Sequence, residues 1–180
     1  IFFLISFSNV HASCFGNIIN SDISKIEFVK IENKNKFFST IGKFYLIKKK
    51  DSSKNLKKNK LKKKYNALIK VNYKNGAHCT HESKIRFHGD FESHIDFING
   101  TPVPSLRVKL KDGHIKNITK FILFRPGSRY FDSEIFSSVL YKQLGFLSPR
   151  TFKVKVKING IDTEYLFQEN LKKEFLEFNS

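Results

Sequence analysis

The sequence predicts an α+β fold: a mainly antiparallel sheet with one packed amphipathic helix and the beginning of a second helix. Three observations carry that prediction. Segment 151–158 alternates Phe152, Val154, Val156 and Ile158 with Lys153, Lys155 and Lys157, and Asn159-Gly160 turns it into a second run over 161–168. Segment 105–111 alternates in the same way, with Leu106, Val108 and Leu110 on one face and Ser105, Arg107, Lys109 and Lys111 on the other. Between these regions Ile135, Phe136, Val139, Leu140 and Leu144 recur at helical spacing. The 180 residues include 20 Phe and no Trp or Met, enough apolar side chains for one domain with a substantial core.

The elements follow in chain order. The run Ile-Phe-Phe-Leu-Ile at 1–5 precedes Val10 and Ala12, which sit at −3 and −1 of a signal-peptidase site. Residues 1–13 therefore read as the remnant of an export signal cleaved near Ala12, in a chain truncated at its start. The expected location is periplasmic, envelope or extracellular. The run is too short to span a membrane, and its alternative is a buried N-terminal strand. Segments 25–31 and 36–47 are rich in Ile, Phe and Val and read as strands around a turn at 33–35. Segment 66–73 alternates, and Asn75-Gly76 reverses it into a strand at 82–88. A polar loop spans 89–104, strand 105–111 follows, and Asp112-Gly113 leads to a strand at 118–124. Pro126-Gly127 ends that strand. Asp132 or Ser133 caps the helix, Glu134 lies in its first turn, and Gly145 closes it. In the last hairpin the two-residue turn sets Lys157 opposite Asp162 and Lys155 opposite Glu164. Segment 171–178 starts another helix.

Charge and cysteine bound the chemistry. Net charge is +17, and residues 48–64 hold ten lysines against Asp51, a net +9. Such a block repels itself and reads as a disordered, solvated insertion within the domain 14–180. No aromatic residues interleave with its lysines, so it predicts weak, salt-sensitive polyanion contact and no specific nucleic-acid recognition. Cys14 and Cys79 form one disulfide in an oxidising compartment or remain two thiols in a reducing one. His78-Cys79-Thr80-His81 offers three metal ligands where a structural zinc site takes four, and His78 and Cys79 point to opposite faces of a strand, so no metal site is expected. His88, Gly89, Asp90, Glu92, His94 and Asp96 form the densest polar cluster. It reads either as a phosphate or metal contact aided by Arg86 or as a solvated turn.

Several short stretches resemble the CotH-like family, named for a spore-coat protein. They are Lys84-Ile-Arg-Phe-His-Gly89-Asp90, Ser105-Leu-Arg-Val-Lys109-Leu, Phe121-Ile-Leu-Phe-Arg125 with Arg129, Gly145-Phe-Leu-Ser-Pro149-Arg150, Val154-Lys-Val-Lys-Ile-Asn159-Gly160 and Tyr165-Leu-Phe-Gln168-Glu169. The resemblance implies a protein-kinase-like N-terminal lobe of an exported atypical kinase. Such a kinase binds ATP with magnesium and phosphorylates protein or envelope acceptors. By resemblance, Lys109, then Arg107, presents charge to nucleotide phosphates. Glu134 steadies that lysine, Arg86 offers a phosphate donor, and Gln168 and Glu169 lie at the hinge beside the base. No catalytic residues are expected in this fragment, because the catalytic and magnesium-binding acids follow the hinge and only residues 172–180 do so here. The fragment is then inactive alone. Two competitors are a pseudokinase and a non-catalytic envelope module that grips polyanions with Lys48–Lys64 and the lysine face of 151–158.

Overall fold

The computed structural model describes residues 13–16, 18, 21–51, 63–171 and 175–176. Residues 1–12 of the expected export segment and the middle of the lysine block lie outside these residues, as does most of the expected final helix. The strands are β1 (Ser13–Phe15), β2 (Ile23–Ile31), β3 (Tyr65–Tyr73), β4 (His78–Phe87), β5 (Ile95–Ile98), β6 (Thr101–Pro104), β7 (Leu106–Leu110), β8 (Lys120–Phe124), β9 (Thr151–Ile158) and β10 (Ile161–Glu169). The helices are α1 (Lys34–Lys50) and α2 (Ser133–Gln143).

Seven strands close on themselves in the order β4-β3-β2-β9-β10-β8-β7, with β7 returning to pair with β4. Every neighbouring pair is antiparallel except β2–β9, a short parallel seam that sets Ile26 beside Val156. Strand β1 adds to β4 outside the ring, and β5–β6 is a separate hairpin. The ring is a β-barrel, and it overturns the kinase-like expectation. A kinase-like N-terminal lobe needs an open twisted sheet, whereas the β4–β7 and β2–β9 pairings leave this sheet no such opening. The chain is accordingly not identified with the CotH-like family.

Alternation explains the barrel. Ile69, Val71, Ile85, Leu106, Val108, Phe121, Leu123, Val154, Val156, Tyr165 and Phe167 all point inward and are buried. Side chains thus fill the interior, as in other small barrels. Phe167 stacks on Phe121 and Phe152, with ring centroids 4.5 and 4.6 Å apart. The hairpin β9–β10 has the expected register, Lys157 opposite Asp162 and Lys155 opposite Glu164. Asn75-Gly76 joins β3 to β4, with Gly76 at φ +84°.

Three elements differ from expectation. Segment 36–47 is helical, because Phe37, Phe38, Ile41 and Phe44 recur at helical spacing and form one buried face. That face packs on Tyr65 and Phe87 where β3 begins and β4 ends. The loop 89–104 contains the β5–β6 hairpin, turned by Asn99-Gly100, both at positive φ. The third difference is α2, which meets the barrel through Ile135 and the buried Ser138, while the rest of its expected apolar face, Phe136, Val139, Leu140 and Leu144, is exposed. Ile135 joins Ile122, Phe124 and Leu166 on the outside of the wall, and Ser138 donates to Thr151.

Candidate anion site on the barrel wall

Filling the barrel interior dictates what its outer wall carries. With Ile85 and Phe87 inward, β4 sends Lys84 and Arg86 outward; with Leu106, Val108 and Leu110 inward, β7 sends out Arg107 and Lys109. Register then aligns the cations. Lys84 stands opposite Lys109, Lys109 opposite Lys120 on β8, and Arg86 opposite Arg107. These five side chains, with Lys64 and Asn170, line a cleft of about 330 Å³. Among the described residues no carboxylate pairs with Lys84, Arg86, Arg107 or Lys109.

Like charges facing each other across strands destabilise a sheet, so this arrangement is costly without a counter-charge. The cost is visible at Arg107. Burial, then the neighbouring Arg86, pulls its pKa down, and its buried Nε has no hydrogen-bond partner. Next along the wall, His88 packs edge-on to Phe124 and His94. Its pKa is lowered to about 3 by burial first and then by Arg107, His94, Arg129 and Arg86, so it is neutral near pH 7. Burial followed by Arg129 lowers His94 as well. The His94 Nδ1 lies 3.3 Å from the Ser105 hydroxyl, which accepts the Arg125 backbone N–H at 2.8 Å. Arg129 lies over the Phe124 ring at 4.3 Å, and its buried Nε also lacks a partner. Two guanidinium groups with orphaned donors thus act on one neutral histidine.

The nearby acids are otherwise engaged. Asp96 accepts the Arg125 Nε at 2.6 Å, and that guanidinium also donates to Thr163 and the Glu164 carbonyl while covering Tyr165. Glu134 accepts the Gln168 amide at 2.6 Å and lies 3.9 Å from Arg129. Buried Glu169 takes two bonds from Arg150. The structure therefore brings Arg86, Arg107 and Lys109 into one cleft, joins Glu134 to Gln168, and holds Glu169 separately with Arg150. Lys84 and Lys120 were missed by sequence reasoning, because their place follows from register across strands distant in sequence. Their outward alternation was the available signal.

With the kinase-like lobe go its ATP and magnesium, its nucleotide and protein-acceptor partners, and the readings of the chain as half a kinase or a pseudokinase. The polyanion module also fails as drawn. Lys48 is buried in α1, Lys153 pairs with Asp132 and Glu164, and Lys155 and Lys157 face Glu164 and Asp162 across the hairpin. Cys79 is bonded to Cys14, which removes the sulfur from any metal set, and no metal-binding cluster occurs among the described residues. No helix among them is long and apolar enough to cross a membrane. No protein-family model matches the chain, and no curated protein matches it either.

Proposed function

We propose that this barrel is a binding module for a compact oxyanion, a phosphate or sulfate group carried on a larger molecule. The group binds in the cleft on the outer wall of β4, β7 and β8. The observation that carries this reading is the facing pair Arg86 and Arg107 beside the facing pair Lys84 and Lys109, with no carboxylate between them. Guanidinium forks match tetrahedral oxyanions with paired N–H donors, and the lysines add charge without demanding a geometry. An incoming oxyanion offsets the repulsion between the facing guanidinium groups of Arg86 and Arg107. The cysteine bridge supports an oxidising, extracytoplasmic location for the module.

Calorimetric titration with inorganic phosphate, sulfate and chloride tests the reading. The intact chain should bind phosphate and sulfate well above chloride at matched ionic strength. Arg107→Gln should weaken that binding at least about tenfold, while Lys155→Gln, on a different part of the wall, leaves it unchanged. Equal affinity for the three anions, or an unaffected Arg107→Gln variant, would refute the cleft as the site.

A further inference from the structure

Helix α2 wears its apolar stripe on the wrong side for a core helix. At about 100° per residue, Phe136, Leu140 and Leu144 fall opposite the buried Ser138 and Ile135. Phe136 is 69% exposed, Leu140 41% and Leu144 61%, and Val139 beside them is also open. The stripe continues into exposed Phe146 and Leu147 and is preceded by exposed Tyr130 and Phe131. Both of those aromatic residues have positive φ, 51° and 55°, a conformation bulky side chains rarely adopt.

We infer that this face seats on an anionic lipid surface, with the Phe and Leu side chains of α2 entering the headgroup boundary. Charge selects that occupant. Residues 130–147 contain Lys142 and two acids, of which Asp132 is paired with Lys153, within a chain of net charge +17. A second copy would bring the same net positive charge to the same face, whereas an acidic membrane surface attracts it and accepts the aromatic and leucine side chains. Glu134, the acid of the first helical turn, is held by Gln168. The inference does not depend on the oxyanion cleft.

Flotation with vesicles tests it. The intact chain should float with phosphatidylcholine vesicles containing about one third phosphatidylglycerol, and much less with pure phosphatidylcholine, with salt reducing the bound fraction. Phe136→Ser combined with Leu140→Ser should cut binding at least about tenfold while leaving the circular dichroism spectrum intact, because both side chains are exposed. Should that variant misfold, Phe136→Trp gives a second readout in a chain that has no Trp. Its fluorescence should shift to the blue on vesicles and be quenched by brominated acyl chains. No flotation with anionic vesicles, undiminished binding by a folded double variant, or Phe136→Trp fluorescence that bound brominated lipid leaves unquenched would overturn the inference. So would a dimer in sedimentation equilibrium that the double variant dissolves.

Discussion

Arg86 on β4 stands directly opposite Arg107 on β7, and it is one of the charges that lower the pKa of Arg107. Such a pair repels in the empty cleft. Arg86→Gln should therefore raise stability at low ionic strength by about 0.5 kcal/mol. The gain should shrink in high salt. Urea unfolding at two salt concentrations measures it.

Three histidines, His81 buried and His88 and His94 half-buried, set the acid limit. Burial is the largest cause of the lowered pKa of His81, His88 and His94. The unfolded chain then binds more protons than the folded one below the ordinary histidine value of 6.5, so the histidine contribution to stability is complete above that value and is lost as pH falls. For His88 the loss continues to about 3. Urea midpoints should fall steadily from pH 7 to pH 4, and His88→Phe should flatten that slope.

Arg125 ties the β5–β6 hairpin to β10 through bonds to Asp96, Thr163 and the Glu164 carbonyl. Arg125→Ala removes the bonds to Thr163 and the Glu164 carbonyl and opens space over Tyr165. It should cost about 2 kcal/mol, seen as a lower urea midpoint.

Gly89 has φ +114°, and a Cβ there would sit 2.2 Å from the His94 ring. Gly89→Ala should destabilise by about 2 kcal/mol or more, since backbone strain and a steric clash act together. Histidine side-chain NMR should show the displaced His94 ring directly.

The Cys14–Cys79 bridge spans 65 residues and fastens β1 to β4. Replacing both cysteines with serine should cost about 3 kcal/mol. Thermal melts of the native chain with and without reductant should show a similar gap.

Much of the local structure was legible in the sequence. The β9–β10 register followed from Asn159-Gly160 and its flanking charges, and the outward placement of Arg107 and Lys109 followed from alternation. Closure was not legible. A strand with one buried face has the same alternation whether its sheet is open or rolled, and the β2–β9 and β4–β7 pairings join residues far apart in sequence. Helix α1 was hidden by composition, since its Phe and Ile residues favour strands in isolation, and only their spacing marks a helix. Asn99-Gly100 was a hairpin signal of the same kind as Asn75-Gly76, overlooked beside the prolines of β6. For α2 the stripe was visible, but periodicity reports that a helix has an apolar side, not which neighbour that side meets.

The parallel seam between β2 and β9 has a consequence for synthesis. As the chain leaves the ribosome, β2 pairs early with β3, but its other edge must wait until 151–158 emerges. Through that interval a growing curl of antiparallel strands exposes an open backbone edge and half of an unfinished interior. Nascent-chain survival then depends on whatever shields that edge, and a stop codon placed before β9 should yield product that aggregates instead of a smaller folded domain.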